Sequence, residues 1–162
     1  MRTDEVVTVP LSLAFEDFYA ASYARIAAGV AATVGDADLA ADATDEAMTR
    51  AYPRWERIGG YDNPAGWVYR VAVNWATSRR ARLRRRLPWR EPTTVELGPL
   101  ADPELDAAIR SLPIEFRSVV VCRFLLDWSV DQTADALDVS PGTVKSRLSR
   151  ALDRLRAEVQ DA

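Results

Sequence analysis

The chain has 162 residues, of which 48% are apolar, and a formal net charge of −3. That is enough apolar material for one ordinary domain or two small ones, and no stretch has the eighteen or more uncharged apolar residues of a membrane span. There is no histidine and only one cysteine, which removes the usual general base, a common metal ligand and any internal disulfide. We therefore expect a cytoplasmic binding protein without catalytic residues, metal or cofactor.

Charge alternates along the chain in four blocks. Residues 1–48 carry two basic and nine acidic side chains, whereas residues 50–90 carry eleven basic and two acidic ones. Residues 91–139 carry three basic and ten acidic side chains, whereas residues 140–156 carry five basic and one acidic. Two cationic segments, each attached to an acidic one, predict contact with a polyanion at two places.

Three helices are predicted in the first half of the chain. Apolar residues at helical spacing indicate helices from Phe15 to Val34 and from Asp38 to Trp55, with Pro53 fraying the last turn of the second. A turn-rich loop at 59–64 precedes a third helix from Ala65 to about Arg86. Its last eight residues are cationic on every side, which favours phosphate contact over a merely solvated surface.

Two further helices follow in the second half. Asp102 or Pro103 begins a short helix that ends near Ser111, and Pro113 to Leu126 forms the next. The core face of this second helix is expected to carry Phe116, Val119, Val120, Phe124 and Leu125, and Cys122 is interpreted as a core residue.

A pair of capped helices then ends the chain. Ser129 and Gln132 have the spacing of a capping box, and Asp138 and Val139 form a tight turn into a second cap at Ser140. Two capped helices joined by a short turn are typical of a helix-turn-helix whose second helix enters the DNA major groove. The alternative is an ordinary helical hairpin with a solvated basic face.

Prolines divide the chain into domains. Residues 87–103 contain four prolines, as a linker does. It separates a helical domain of residues 15–86 from one of residues 104–160, and residues 1–14 lack periodicity, as a flexible leader does. No strand pattern occurs, so the predicted fold class is all-α: two small helical domains joined by a flexible linker, the C-terminal one a helix-turn-helix.

The order of several motifs resembles bacterial RNA polymerase sigma factors. The C-terminal DNA-binding domain of that family is matched by Leu112-Pro113, by Arg117 to Val120, by Asp127 to Val130 and by Gly142 to Ala151. The other conserved domain is matched by Asp38 to Ala47 and by Trp67 to Asn74. With two domains and a short linker, the chain is similar to the extracytoplasmic-function (ECF) class.

This resemblance implies a function and partners. A sigma factor binds core RNA polymerase through its β′ and β subunits, directs it to promoters through two DNA elements and assists promoter opening. The second helix would bind a coiled coil of β′, and an anti-sigma factor would hold the protein inactive. The exposed positions implied for polymerase binding are Asp42, Asp45, Glu46, Thr49 and Arg50.

Two sets of DNA contacts are implied as well. The minus-thirty-five element would be contacted from the last helix by Thr143, Lys145, Ser146, Arg147, Ser149 and Arg150. The minus-ten element would be read as single strand, with a base turned into a protein pocket. Its contacts would be Tyr61, Asp62, Asn63, Arg70, Asn74, Thr77, Arg79, Arg80, Arg82 and Arg84, with Asn74 the foremost because its amide both donates and accepts.

Some positions depart from the family pattern. Asp45, Met48 and Thr77-Ser78 replace residues that are common in the family, and Asp138 stands where a glycine is usual.

The main alternative to a sigma factor is a stand-alone helix-turn-helix regulator, which would leave the N-terminal domain unexplained. A nuclease would need metal-binding carboxylates near the arginines, and Asp62 and Glu56 are too few.

Overall fold

The computed structural model describes residues 11–89 and 102–160, and all regular structure within these ranges is helical, which confirms the all-α prediction. The first half contains α1 (Leu11–Val34), α2 (Ala37–Ala51), a 3-10 turn (Tyr52–Arg54), α3 (Trp55–Ile58) and α4 (Pro64–Arg86). The second half contains α5 (Pro103–Ser111), α6 (Ile114–Val120), a π-helical turn (Val121–Leu125), α7 (Val130–Leu137) and α8 (Pro141–Gln160).

The domain boundaries predicted from the sequence fall partly outside these ranges. Helix α1 begins at Leu11, so the last residues of the predicted leader are helical, and residues 1–10 lie outside the described chain. Residues 90–101, which make up most of the predicted linker, lie outside it as well.

Local signals set the helix ends of the first half. Gly35 has φ +73°, the left-handed conformation that ends a helix without a Cβ clash, and its N–H donates to the carbonyl of Ala31 at 2.8 Å. The Asp36 carboxylate then accepts from the N–H of Leu39 and caps α2. Pro53 lies in the 3-10 turn after α2, which confirms the predicted fraying of that helix.

The core of the first half lies between α1, α2 and α4. Ile26 and Val30 of α1 pack with Val68 and Ala72 of α4, and all four are essentially inaccessible to solvent. The buried face of α2 consists mostly of alanines, with Ala47 at its centre, so the three helices approach closely.

The second half has two smaller clusters of its own. One joins α5, α6 and α8 through Ala108, Val120 and Ala151. The other joins α6, α7 and α8 through Val119, Ala134 and Val144.

The predicted core face of the helix from Pro113 to Leu126 is wrong at its end. Phe124 is 63% exposed and Leu125 is 38% exposed, whereas Val121, Cys122 and Leu126 are buried. A π-helical turn holds one extra residue per turn and so rotates the following side chains out of α-helical phase. Because the prediction assumed 3.6 residues per turn throughout, it placed Phe124 and Leu125 inward.

The two halves share a continuous core. Leu126, Trp128 and Ala136 of the second half belong to the same buried cluster as Val30 and Tyr69 of the first half. The Trp128 ring meets the Tyr69 ring edge-on, with centroids 5.6 Å apart. The halves are therefore packed against each other, in addition to being joined by the chain between residues 89 and 102.

Candidate nucleic-acid interface

The first helix of the predicted helix-turn-helix, α7, is held by a reciprocal cap. The Ser129 hydroxyl accepts from the Gln132 N–H, and the Gln132 side chain accepts from the Ser129 N–H, each at 3.0 Å. The helix ends at Asp138, whose φ of 55° and ψ of 47° place it in the left-handed region. The turn requires this conformation at position 138, and aspartate tolerates it better than most residues do. The capping box and the tight turn are thus confirmed.

The second helix, α8, presents a polar face to solvent. The Ser140 hydroxyl accepts from the Thr143 N–H at 3.1 Å, which confirms the predicted cap. Val144, Ala151 and Leu155 are buried beneath the helix. The exposed members of the predicted DNA-contacting set are Lys145, Ser146, Ser149 and Arg150.

The other two members of that set are only partly exposed. Thr143 shares a hydrogen bond with the Ser140 hydroxyl at 2.9 Å, so part of its polar capacity is used at the cap. Arg147 lines a cleft between α8 and α4 and faces the first half of the chain.

A second polar pocket lies at the start of α4. Its volume is about 360 Å³, and Arg57, Tyr61, Asp62, Asn63, Trp67 and Arg70 line it together with Asp135 and Ala136 of α7. Two arginines, two carboxylates and two aromatic rings line it, which is the chemistry needed to receive an unstacked base. Asn63 also caps α4, because its side-chain oxygen accepts from the Gly66 N–H at 3.2 Å.

Asn74 and Thr77 lie further along α4, in the cleft that Arg147 also lines. The cleft has a volume of about 800 Å³. Asn74 is exposed, so its amide is free to meet a ligand. The Thr77 hydroxyl donates to the carbonyl of Val73 at 2.9 Å and is therefore engaged with its own helix.

The predicted phosphate-contacting arginines at the end of α4 differ in their surroundings. Arg82 and Arg84 are exposed, and Arg79 lies over the Trp75 ring with its guanidinium carbon 5.1 Å from the ring centroid. Arg80 instead donates to the carbonyl of Val34 at 2.7 Å, at the negative end of α1. Burial lowers the pKa of its guanidinium below the usual value.

Most residues predicted to bind polymerase lie on the exposed face of α2. Asp42, Asp45, Thr49 and Arg50 are exposed. Glu46 is partly buried and forms an ion pair with Arg50 at 2.8 Å. The Asp45 carboxylate accepts from the Tyr23 hydroxyl at 2.6 Å, and burial together with this carboxylate raises the Tyr23 pKa.

An open groove of about 520 Å³ runs beside this face, and the sequence reasoning did not identify it. Phe15, Tyr19, Met48 and Tyr52 line it together with Asp45 and Thr49. Tyr19 is 40% exposed and Tyr52 is 54% exposed. Exposed aromatic side chains are enriched at protein–protein interfaces, and here they lie beside the carboxylate of Asp45.

Three arginine–carbonyl contacts between the halves were also missed. Arg117 of α6 donates to the carbonyl of Thr33 at 2.8 Å, and Arg25 of α1 donates to the carbonyl of Leu126 at 2.9 Å. Arg70 makes a longer contact, 3.5 Å, with the carbonyl of Asp135. No local sequence signal marks such contacts, because the acceptors are backbone carbonyls far away in the chain.

Two negative observations hold for residues 11–89 and 102–160. These residues contain no group of three or more metal-ligating side chains that could hold an ion. Nor do their helices include one that is long and apolar enough to cross a membrane.

A polar face on the second helix of a helix-turn-helix, joined to a helical half with a basic tail, defines a DNA-binding protein. Comparison with known proteins narrows the class. Residues 103–155 match the family described as Sigma-70, region 4. The chain is 32% identical over 154 residues to the RNA polymerase sigma-E factor of Streptomyces avermitilis, an alignment that covers 91% of this chain and 86% of that protein.

Further relatives are similar. The chain is 34% identical over 139 residues to the ECF RNA polymerase sigma factor SigL of Mycobacterium tuberculosis, which covers 78% of each protein. Its fold resembles that of the sigma factor RpoE from Bartonella quintana, solved in complex with the anti-sigma factor NepR. The TM-score is 0.76 at 19% identity, covering 90% of this chain and 96% of that one. The chain belongs to the ECF sigma factors of RNA polymerase, and it is an alternative sigma factor.

Proposed function

We propose that this sigma factor reads the minus-thirty-five element with the exposed face of α8. The observation that carries the proposal is the capped second helix, on which Lys145, Ser146, Ser149 and Arg150 are exposed opposite a buried apolar face. A long cation reaches phosphates or guanine edges, and a serine hydroxyl reaches any base edge or phosphate nearby. Thr143 and Arg147 would complete the contact once their side chains turn toward the groove.

The minus-ten element, on this proposal, meets the loop before α4 and the first turns of that helix. The 360 Å³ pocket lined by Tyr61, Asp62, Asn63 and Arg70 is where an unstacked base would enter. Turning a base out costs a few kcal/mol, so a pocket that supplies stacking and hydrogen bonds offsets the loss. Asn74 would contact an adjacent base, and the exposed Arg79, Arg82 and Arg84 would hold the nearby phosphates. Arg80 contributes only if it releases the carbonyl of Val34.

The exposed face of α2 would bind the β′ coiled coil of core polymerase. Asp42, Asp45 and Thr49 supply carboxylates and a hydroxyl, and the adjacent groove of Phe15, Tyr19 and Tyr52 supplies apolar area. Aromatic side chains bordered by charge are the usual composition of a protein interface. The ion pair between Glu46 and Arg50 would fix the orientation of these two side chains in the contact with β′. The β subunit would bind the second half of the chain.

The remaining parts of the function follow from these contacts. A sigma factor works on DNA beside polymerase, so we place the protein in the cytoplasm and assign it no reaction of its own. The solved chain of similar fold is bound to an anti-sigma factor. An anti-sigma protein would inactivate this chain by covering the polymerase-binding face of α2 and the exposed face of α8.

Transcription in vitro tests the proposal. Core polymerase, with and without the purified chain, would transcribe a genomic fragment library, and start sites would be mapped. We expect a small set of starts that require the chain and share two upstream elements. Tight, sequence-specific binding of duplex operators by the chain alone, with no start sites that depend on it, would support the stand-alone regulator instead.

A further inference from the structure

We infer that Tyr23 of α1 is a positioning residue for polymerase binding, because its hydroxyl holds the Asp45 carboxylate of α2 in the orientation that the polymerase contact uses. This inference rests on the proposed function, since it concerns the face of α2 assigned to β′. Tyr23 does not itself line the groove beside that face, so it would act through Asp45.

The hydrogen bond between Tyr23 and Asp45 is short and charge-assisted. The Tyr23 hydroxyl donates to Oδ1 of Asp45 at 2.6 Å, which is within the range for a hydroxyl that donates to a carboxylate. Such bonds are about twice as strong as hydrogen bonds between neutral groups. The two residues are 22 positions apart in the chain, so the bond joins two helices and is not a contact within one.

The donor of this bond is held by the packing of its own ring. Tyr23 is half-buried and packs against the core of the first half. Its ring lies beside the Tyr19 ring, with centroids 5.0 Å apart, and the Tyr19 ring lies 6.2 Å from that of Phe15. A tyrosine side chain turns about only two χ angles, so packing of the ring leaves the hydroxyl little freedom.

The acceptor, by contrast, owes its order to the hydrogen bond. Asp45 is exposed on α2, where a carboxylate without a partner would populate several rotamers. The bond to Tyr23 uses Oδ1 and leaves Oδ2 for a donor on polymerase. A side chain that is ordered before association loses less conformational entropy when the complex forms.

The location of Asp45 gives this order a function. Asp45 lines the 520 Å³ groove together with Tyr19 and Tyr52, so its carboxylate lies where the apolar and polar parts of an interface would meet. Thr49 lines the groove as well, but its hydroxyl donates to the backbone carbonyl of Asp45 at 2.8 Å. Of these two hydroxyls, it is therefore that of Tyr23 that orients the carboxylate.

Two substitutions in the full-length chain test the inference. Tyr23→Phe removes the hydroxyl and keeps the ring, and Asp45→Glu keeps the charge but moves it by one methylene. The Kd for core RNA polymerase would be measured by biolayer interferometry, with circular dichroism to verify the fold. We expect each variant to bind core polymerase about 3- to 10-fold more weakly than the wild-type chain, since each loses the ordered carboxylate.

A double-mutant cycle separates positioning from a merely structural role. In the Asp45→Ala background, Tyr23→Phe should cause no further loss of polymerase binding, because no carboxylate remains to be oriented. The matched cycle uses Thr49→Ala, which removes another member of the proposed contact and leaves the Tyr23–Asp45 bond in place. In that background, Tyr23→Phe should cause its full loss.

The other outcomes distinguish the inference from the function on which it rests. An equal loss from Tyr23→Phe with and without Asp45 would overturn the inference, because Tyr23 would then act on the fold or on polymerase directly. Binding at wild-type strength by Tyr23→Phe or by Asp45→Glu would overturn it too, and would leave the assignment of the α2 face intact. Normal polymerase binding by a chain in which Asp42, Asp45 and Thr49 are all alanine would instead overturn that assignment.

Discussion

The arginines of this chain divide according to what their guanidinium groups contact. Arg25, Arg80 and Arg117 donate to backbone carbonyls of another helix or half, and so they hold the fold together. Arg82 and Arg150 are exposed. Arg80 and Arg82 lie in the same basic segment and yet belong to different groups, so a basic segment in the sequence does not show which of its cations are available to DNA.

Replacing Lys145 and Arg150 by alanine should weaken initiation at cognate promoters. Each base or phosphate contact is worth about 1–3 kcal/mol, so each substitution should lower promoter binding by the holoenzyme roughly 5- to 150-fold. Filter binding or fluorescence anisotropy with the holoenzyme measures the loss. Arg156→Ala is the matched control, because Arg156 is exposed on the same helix beyond the proposed contact and pairs with Asp153. Equal losses in all three variants would show that general charge, not the proposed face, provides the affinity.

Asn74→Ala should impair promoter opening while leaving polymerase binding unchanged. The Asn74 side chain is exposed and has no hydrogen-bond partner among the described residues, so its loss should cost the fold little. Permanganate reactivity of unpaired thymines in the minus-ten region reports opening. Native gel shift with core polymerase reports binding. A variant that unfolds, by circular dichroism, would assign Asn74 a structural role instead.

At the scale of the element, caps and turns govern the geometry of the helix-turn-helix. Asp138 ends α7 in the left-handed conformation and Ser140 starts α8 two residues later. These two positions set where α7 ends and where α8 begins, and so they set the length of the turn between the helices. The segment after α6 departs from the period of an α-helix. That period predicts a buried Phe124, whereas the π-helical turn exposes its side chain.

Ser140→Ala should destabilise the chain through the start of α8. The substitution removes the oxygen that accepts from the Thr143 N–H, which costs about 1 kcal/mol at an N-cap. Urea unfolding should show a lower midpoint with an unchanged slope. Ser78→Ala is the matched control, because Ser78 is exposed in the interior of α4, where alanine is at least as favourable as serine. An unchanged midpoint for Ser140→Ala would mean that the cap contributes nothing.

At the scale of the molecule, the shared core couples the two halves. Trp128 and Leu126 are buried in a cluster formed mostly by residues of the first half, and the Trp128 ring contacts the Tyr69 ring of that half. Breaking the contact exposes an apolar surface on both sides, which costs about 25 cal/mol for each Å².

Alkaline pH should destabilise the folded chain. Burial raises the pKa of the Cys122 thiol from 9.0 to about 12, and burial also raises the pKa of the Tyr69 hydroxyl. The unfolded chain releases these protons at lower pH than the folded chain does. Stability is therefore fully present below about pH 9 and falls as pH rises toward 12, by up to about 1.4 kcal/mol per pH unit for each group.

Urea unfolding at closely spaced pH values between 8 and 11 measures this dependence. Cys122→Ala is the matched variant, because it removes the thiol. It should flatten the fall in stability between pH 9 and 10 and make the fall above pH 10, where Tyr69 still contributes, less steep than in the wild-type chain. An identical pH dependence in both chains would show that Cys122 is not protected from ionisation in the folded state.

Local information in the sequence was sufficient for most of the secondary structure. The capping box at Ser129, the cap at Ser140 and the proline in the turn after α2 act through neighbouring residues, so their effect can be read without the fold. The order of the motifs likewise identifies the resemblance to ECF sigma factors without the fold. The exposed faces of α2 and α8 followed from helical period, because each face lies opposite a buried apolar stripe.

Only the tertiary structure decided how the halves meet. The sequence reasoning described two domains and a linker, whereas Leu126, Trp128 and Ala136 complete the core of the first half. It also treated Arg80 and Asn63 only as DNA contacts, whereas one donates to the end of α1 and the other caps α4. Local pattern specifies which side of a helix is apolar, but the partner of that side is set by packing between residues about 100 positions apart, as Arg25 and Leu126 show.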